Sequence, residues 1–246
     1  MIAPPTRRRL NARLFRWHAG ARRQLLIRTA STPWEVLVAE VMSQQTGIER
    51  VGPMWLRFVD LWPSPAALAD AGTQDLLAAW AGLGYNRRAL ALREAARAIV
   101  ADHDGRVPRT VPALEALPGI GPYTARAVAA AAFGVPVAPL DVNVRRVVSR
   151  VLAVERSSPD LQAAADRLVA RDRPGRWFDA VMDLASGTCT PQAPRCDACP
   201  LVDVCSSKDV PVAVALRRRS ASTPFPSTTR WLRGRLVAAA TAAPPG

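Results

Sequence analysis

The sequence predicts an all-α protein, and three observations support this. Alanine and leucine dominate the composition, and both residues favour helices. Apolar residues recur at helical spacing, as in Trp34, Leu37, Val38, Val41 and Met42. No segment alternates apolar and polar residues well enough to predict a strand. With 246 residues, 49% of them apolar, the chain is long enough for one large domain or two small ones.

About ten helices follow from this spacing and from the positions of proline and glycine. The first is basic and amphipathic, and the second begins at Thr32-Pro33, with proline at the first helical position. From about Ser206 the chain becomes rich in proline, serine and arginine and is predicted to pack poorly. The predicted helices cover residues 8–23, a segment from 33, then 52–61, 65–71, 73–82, 86–103, 111–117, an alanine-rich run up to 134, a segment from 141, 159–170 and 175–187.

The charge of the chain indicates a polyanionic partner. The formal net charge is +13, the sequence pI is about 11.3, and almost all of the 33 basic residues are arginine. A codon bias could explain arginine over lysine, but it does not explain the excess of positive charge. Globular chains this basic usually bind nucleic acid or an anionic surface.

The sequence contains no apolar stretch of membrane-spanning length and no secretory signal at its start. We therefore expect a cytoplasmic, nucleoid-associated protein with no membrane partner. In that reducing compartment the four cysteines are not expected to form disulfides.

Four cysteines lie within one short segment with the spacing C-x6-C-x2-C-x5-C. Thiolates are the natural ligands of iron–sulfur clusters, and a CxxC with two flanking cysteines can surround one cluster. Zinc is the main alternative, although zinc sites usually use two CxxC-like pairs. The spacing therefore favours a [4Fe–4S] cluster held by Cys189, Cys196, Cys199 and Cys205.

The segment LPGIGPYTA, residues 117–125, predicts a tight hairpin between two helices. Gly119 and Gly121 let the backbone turn sharply and approach a phosphate without a Cβ atom in the way. The amides at the start of the following helix then form an anion site that binds the DNA backbone. The alternative is an ordinary helix–helix turn with a glycine cap.

Together these motifs resemble the helix-hairpin-helix (HhH-GPD) DNA glycosylases. Within them the chain is most similar to the MutY-like adenine glycosylases, with endonuclease III as the neighbouring group. The likeness covers about residues 25–206. It rests on EVMSQQT at 40–46, GLGY at 82–85, LPGIGPYTA at 117–125, LDVNVRRV at 140–147 and the cysteine segment.

The resemblance implies a two-domain helical fold that binds double-stranded DNA containing a mismatched or damaged base. A six-helix barrel with the hairpin would span residues 31–134, and residues 1–30 with 135–206 would form the cluster domain. Residues 207–246 would be a poorly ordered tail. DNA would lie across the cleft between the domains, with the target base flipped out of the helix. We expect a monomer.

The resemblance also assigns the chemistry of base excision. Asp141 would stabilise the cationic sugar, although the same residue could simply cap a helix. Glu40 would be the general acid at the base, because an apolar environment raises the pKa of a carboxyl group. Tyr123 stands where endonuclease III-like enzymes carry a Schiff-base lysine, so no strand-cleaving lyase activity is expected. A packing role is the alternative for Tyr123.

Further residues are assigned by the same resemblance. Gln44, Gln45 and Tyr85 would fill or wedge the gap left by a flipped base. The predicted base pocket comprises Ile27, Arg28, Ser43 and Ile48, and the predicted DNA contacts comprise Gln44, Gln45, Thr46, Tyr85, Gly119, Gly121, Asn143, Arg145 and Arg146.

Several positions depart from the adenine-glycosylase pattern. Ile27 replaces a tryptophan, Ser43 a leucine and Val142 a glycine. The 8-oxoguanine-recognition domain that usually follows is expected to be missing. The predicted function is a monofunctional glycosylase for adenine opposite guanine or 8-oxoguanine. The alternatives are a glycosylase for uracil, hypoxanthine or mismatched thymine, a redox-sensing DNA-binding protein, and a zinc-stabilised structural protein.

Overall fold

The computed structural model describes residues 4–208 together with 232, 234–236 and 239. Within residues 4–208 there are eleven α-helices, short 3₁₀ turns and no strand, which confirms the all-α prediction. The predicted tail, 207–246, lies outside the described residues apart from 207, 208 and those isolated positions. The helices are α1 (Pro4–Ala21), α2 (Pro33–Ser43), α3 (Ile48–Leu61), α4 (Pro65–Ala69), α5 (Thr73–Ala79), α6 (Arg87–Asp102), α7 (Val111–Glu115), α8 (Pro122–Phe133), α9 (Val142–Leu152), α10 (Leu161–Leu168) and α11 (Pro174–Gly187).

Helices α1 and α3 each begin four residues before their predicted starts, and α3 begins at Ile48 instead of residue 52. Gly47 is its N-cap, and Pro53 lies inside the helix. Pro53 cannot donate a backbone hydrogen bond, which costs helix stability. Its ring is exposed, whereas Val51, Trp55 and Phe58 are buried. Burial of this apolar face therefore outweighs the local signal of the Gly52-Pro53 pair.

A capping box fixes the start of α2. The Thr32 side chain accepts a hydrogen bond from the Glu35 amide at 3.2 Å. The Glu35 carboxylate accepts from the backbone amides of Thr32 at 3.3 Å and Ser31 at 2.6 Å. This reciprocal pairing satisfies the free amides of the first turn. It also sets the direction of the helix that carries Glu40.

The chain folds as two compact units. One contains described residues 25–108 and 113–120. Its core is aromatic: Trp55, Phe58 and Trp80 are almost fully buried. Phe58 contacts Trp62 and Trp80 edge-on, with ring centroids 4.7 and 5.7 Å apart. The indole N–H of Trp55 donates to the Glu35 carbonyl at 3.0 Å, so this polar group is satisfied inside the core.

The other unit contains described residues 4–24, 109–112 and 121–208. In it α11 packs against α1, α8 and α9. The alanine-rich helix α8 approaches α11 very closely, since a Cβ atom on Gly175 would lie 3.0 Å from the Ala131 Cα. Helices α1 and α11 are also joined by Asp183, whose carboxylate is 3.0 Å from His18 Nε2 and 2.6 Å from Arg23 Nε.

After the hairpin begins, the chain passes from one unit to the other at Gly121. The predicted boundary between the barrel and the cluster domain lies later, at residue 135. The predicted barrel and cluster domains stay a prediction. None of the helices among the described residues has the length and hydropathy needed to cross a membrane.

Candidate functional site

Asp141 is the N-cap of α9 and its side chain is half-buried. Its Oδ1 accepts hydrogen bonds from the amides of Asn143 at 2.9 Å and Val144 at 2.7 Å, and its Oδ2 accepts from Asn143 Nδ2 at 2.8 Å. The capping role is therefore confirmed. The amides and the positive end of the helix dipole complement a negative charge at this point, so the carboxylate is held in one orientation.

A hydrogen-bonded chain runs from Asp141 towards the cysteine segment. Asn143 Oδ1 accepts from Arg146 Nη1 at 3.0 Å. The other guanidinium nitrogens of Arg146 donate to carbonyl oxygens, Nε to Cys189 at 2.9 Å and Nη2 to Ala185 at 2.9 Å. Arg146 is only 3% exposed, and burial lowers the pKa of its guanidinium. This interior role differs from the predicted phosphate contact. Arg145 is half-buried and donates to the Arg156 carbonyl at 2.7 Å.

The segment that leads into Asp141 is anchored by Asp166 of α10. Asp166 Oδ1 accepts from the Ala138 amide at 2.7 Å and from Gln162 Nε2 at 3.0 Å. Arg126 Nη1 lies 3.1 Å from each carboxylate oxygen of Asp166. One carboxylate therefore joins α8, α10 and the residues just before α9. The sequence analysis did not single out Asp166.

The four cysteines follow α11 and line one cavity. The Cys189 amide donates to the Leu184 carbonyl at 2.7 Å, and this hydrogen bond ends the helix. Further along the loop, the Arg195 amide donates to the Thr188 carbonyl at 2.9 Å. The CxxC segment forms a 3₁₀ turn, Cys196–Ala198, closed by the Cys199 amide on the Cys196 carbonyl at 3.0 Å. The structure thus brings all four predicted ligands together.

The chemistry of this cavity suits a bound cationic centre. Burial, followed by the neighbouring cysteines, raises the pKa of the Cys199 thiol to about 11, and burial also raises the pKa of Cys205. Thiolates would therefore need a metal to compensate their charge here. Arg150 Nη1 donates to Cys189 Sγ at 3.3 Å, and Leu184 and Leu201 supply apolar walls. Among the described residues, no three histidine, cysteine, aspartate or glutamate side chains converge on a point suited to one metal ion. The four thiols instead surround the cavity.

Glu40 lies on α2, in the other unit, and its side chain is half-buried. Its neighbours Ala39 and Val41 are each 3% exposed, and Leu37 is fully buried. The predicted role of Glu40 as the general acid stays a prediction.

Two loops of the same unit carry the predicted wedge residues. Gln45 follows α2 and Tyr85 precedes α6, and both are exposed with positive φ angles of 54° and 51°. Thr46 joins the two loops, because its hydroxyl donates to the Leu83 carbonyl at 3.3 Å. Residues other than glycine seldom adopt this backbone region, which is often found at functional sites.

The predicted pocket residues also belong to this unit. Ile27 and Arg28 are half-buried in the 3₁₀ turn Leu26–Thr29, which packs against α3, the helix that begins at Ile48. Ser43 ends α2, and its hydroxyl donates to the Ala39 carbonyl at 2.7 Å. The hydroxyl proton is therefore engaged within the helix, so that in this geometry the Ser43 oxygen can only accept a hydrogen bond from a ligand.

The hairpin has the local geometry that its glycines predict. Gly119 has a φ of 76°, and an added Cβ atom would lie 2.7 Å from the Ala91 Cβ. Gly121 is the exposed N-cap of α8, with Pro122 at the first helical position. Tyr123 follows, half-buried, with its ring edge-on to Phe178 at 6.3 Å. Tyr123 therefore packs against Phe178, as the packing alternative predicts.

Comparison with known proteins identifies the family. The model of the HhH-GPD superfamily of base excision DNA repair proteins matches residues 38–171, more than half of the chain. The chain belongs to this superfamily. The matched segment includes both predicted carboxylates, Glu40 and Asp141. The resemblance inferred from sequence is confirmed.

The curated relatives of this HhH-GPD chain include adenine DNA glycosylases. The one from Mycolicibacterium smegmatis is 40% identical over 230 residues, which cover 91% of this chain and 78% of that protein. The one from Mycobacterium tuberculosis is 39% identical over 236 residues, covering 91% and 76%. The human protein is 39% identical over 182 residues, covering 71% of this chain and 33% of its own length.

Solved structures support the fold. A thermostable thymine-DNA glycosylase superposes with a TM-score of 0.76 at 27% identity, covering 83% of this chain and 97% of that one. Endonuclease III in a non-covalent DNA complex superposes with a TM-score of 0.69 at 22% identity, covering 85% and 97%. The second likeness concerns the fold alone.

Proposed function

We propose that this chain is a monofunctional DNA glycosylase of base excision repair that releases adenine mispaired with guanine or 8-oxoguanine. The observation that carries the proposal is the oriented, half-buried Asp141 in a chain about 40% identical to adenine DNA glycosylases. Its partner is duplex DNA, and it acts as a monomer in the cytoplasm at the nucleoid.

In the proposed reaction Glu40 donates a proton to a ring nitrogen of the adenine, which leaves with the electron pair of the N-glycosidic bond. The sugar becomes an oxocarbenium-like cation, and the Asp141 carboxylate stabilises its positive charge. A water molecule adds its oxygen to the sugar carbon and loses a proton to solvent. The products are free adenine and an abasic site.

No amine stands at position 123 to form a Schiff base, so the strand itself is left intact. Asn143 keeps Asp141 oriented, while Arg145, Thr46 and the α8 N-terminus contact phosphates. Gln44, Gln45 and Tyr85 occupy the space of the flipped base, and Ile27, Arg28, Ser43 and Ile48 border the base itself.

A panel of duplexes tests the reaction and the base together. Each duplex carries one candidate base: adenine opposite guanine, adenine opposite 8-oxoguanine, uracil, hypoxanthine, or thymine opposite guanine. Strand breaks at adenine that appear only after hot alkali support a monofunctional adenine glycosylase. Breaks without alkali contradict the absence of lyase activity, and cleavage at another base alone contradicts adenine.

Mismatched thymine is the second candidate substrate. It is favoured by the likeness to the thymine-DNA glycosylase and by the departures at Ile27 and Ser43. The Ser43 oxygen is an acceptor and would suit a base edge that presents an N–H group, such as N3 of thymine or uracil.

We further propose that Cys189, Cys196, Cys199 and Cys205 hold a [4Fe–4S] cluster, which would stabilise the fold around α9 and α11 rather than act on the base. The proposal is supported by four thiols around one cavity and by the Arg150 contact to a ligand sulfur. Analysis of the purified protein for about four irons and four sulfides per chain tests it. One zinc per chain and no sulfide would contradict it.

A further inference from the structure

The two loops that carry the proposed wedge residues contain unusual backbone. The first is residues 44–47, after α2, and the second is residues 82–86, before α6. Beside the positive φ angles of Gln45 and Tyr85, Gly82 and Gly84 have φ angles of 95° and 71°. Glycine adopts such angles readily, but for Gln45 and Tyr85 they are strained and persist only where the surrounding structure holds them in place. The structure therefore needs a group that restrains both loops.

That group is the guanidinium of Arg88, in the first turn of α6. Both of its terminal nitrogens donate, and their acceptors belong to the end of α2 and to both loops. Nη1 donates to the carbonyl oxygens of Val41 at 3.0 Å, Met42 at 3.0 Å and Gln44, and Nη2 donates to Thr46 Oγ1 at 3.0 Å and to the carbonyl oxygens of Leu83 and Gly84, each at 3.1 Å.

The acceptors explain why a cation is needed here. Val41 and Met42 lie in the last turn of α2, where carbonyl oxygens lack the regular helical partner and the dipole is negative. The Val41 carbonyl also accepts from the Gln44 amide at 3.3 Å. The guanidinium carbon also lies 5.5 Å from the ring centroids of Trp80 and Tyr85. The stacking on Tyr85 couples the charge directly to the proposed wedge ring.

We propose that Arg88 is a positioning residue that holds residues 44–47 and 82–86 as one preformed wedge for base flipping. The inference rests on the proposed function, since it states how the wedge residues of that reaction are kept in place. An ammonium group would keep the charge, but its three N–H groups radiate from one nitrogen. The guanidinium donates four from two nitrogens held in a planar fork, which share the six acceptors on α2 and both loops.

Arg93, on the same helix, provides a matched control. Its Nη1 donates to the Ala71 carbonyl at 3.0 Å and to Thr73 Oγ1 at 3.0 Å, and neither acceptor belongs to the wedge loops. Arg88→Lys and Arg93→Lys therefore make the same chemical change on one helix, and only the first change removes contacts to the wedge loops.

The first measurement is amide hydrogen exchange of both variants and the wild type, without DNA. Arg88→Lys is expected to speed exchange in residues 44–47 and in residues 82–86, while Arg93→Lys leaves both segments unchanged. Faster exchange in only one loop, or equal effects of the two variants, would overturn the inference whether or not the protein cleaves DNA.

The second measurement uses an adenine mispaired with 8-oxoguanine, with 2-aminopurine beside the adenine to report flipping. With saturating enzyme, Arg88→Lys should lower the flipping signal and reduce the single-turnover rate about 10- to 100-fold, because small misplacements have effects of this size. Arg93→Lys should change the rate less than about 3-fold, as expected for a contact remote from the wedge. If the wild type is active and the two variants cleave at equal rates, the positioning role is overturned and the proposed function stands. A wild type that cleaves no duplex of the panel overturns the proposed function.

Discussion

At the residue scale, several side chains serve both the fold and the proposed reaction. Asp141 caps α9 with one carboxylate oxygen, while its other oxygen accepts a hydrogen bond from the Asn143 side chain. The same contacts that stabilise the helix thus orient the group proposed to face the cationic sugar. A substitution that preserves the cap can separate the two roles.

We expect Asp141→Asn to reduce cleavage of the mispaired adenine at least about 100-fold, because it removes the negative charge that stabilises the transition state. Asparagine is an equally good N-cap, so the melting temperature should change little. Single-turnover kinetics and thermal unfolding are the measurements. Asp160→Asn, at the N-cap of α10 and without a side-chain cap bond, is the matched control and should keep wild-type activity. Unchanged cleavage by Asp141→Asn, with binding retained, would contradict the catalytic assignment.

Gly119 is a second position where one residue decides local geometry. We expect Gly119→Ala to destabilise the protein by about 2–4 kcal/mol, because it combines a positive φ with a Cβ contact of 2.7 Å to Ala91. Gly134→Ala, also at positive φ but with open space around the Cβ position, should cost about 1 kcal/mol. Denaturant unfolding of both variants measures the difference. Equal losses would show that the close approach to Ala91 contributes nothing.

At the element scale, carboxylates and guanidiniums connect helix ends to the loops between them. Asp166 of α10 holds the segment before α9 through the Ala138 amide and is paired with Arg126 of α8. Arg88 of α6 does the same for the end of α2 and the loop before α6. Buried loop amides and carbonyls need such partners, since unpaired ones are costly.

Asp166→Ala should lower the free energy of unfolding by about 1–3 kcal/mol, because it leaves the Ala138 amide without its acceptor. Asp166→Asn keeps a carbonyl oxygen for this amide but loses the charge and one acceptor oxygen opposite the partly exposed Arg126, so its loss should be smaller. Urea unfolding of the wild type, Asp166→Ala and Asp166→Asn gives the order of their free energies of unfolding. If Asp166→Asn is as unstable as Asp166→Ala, the ion pair, rather than the amide contact, is the anchor.

At the scale of the whole molecule, the formal charge of +13 gives a sequence-independent attraction to DNA. Arginines that neutralise phosphates release counterions, so affinity falls steeply with salt. Recognition of a flipped base adds contacts to the base itself, which do not release counterions from phosphates. The two contributions can therefore be distinguished by their dependence on ionic strength.

We expect the affinity for a fully paired duplex to fall about 10³-fold or more between 50 and 200 mM salt, if about six phosphates are contacted. A mispaired duplex should bind more tightly at every salt concentration, with nearly the same slope of log affinity against log salt. Fluorescence anisotropy over a salt series measures both lines. A much shallower slope for the mispaired duplex would indicate that base recognition replaces phosphate contacts.

Much of this protein follows from the sequence alone. Helical spacing, the Thr32-Pro33 start and the glycines at 119 and 121 are local signals, and the structure contains the helices and turns that they predict. The cysteine spacing likewise brings four thiols around one cavity, because all four lie within one short loop. Glu40 and Asp141 are assigned from the recognisable segments in which they lie, and their catalytic roles stay proposals.

The tertiary structure decided what depends on residues distant in sequence. Nothing local distinguishes Arg88 from its exposed neighbour Arg87, and only the approach of the α2 end to the loop before α6 gives Arg88 six acceptors. Arg146 was expected at a phosphate, but folding buries it between Asn143 and the start of the cysteine loop. Sequence determines where charges and turns lie along a chain. Burial determines which of those charges must find partners inside the protein, and that depends on the packing of whole helices.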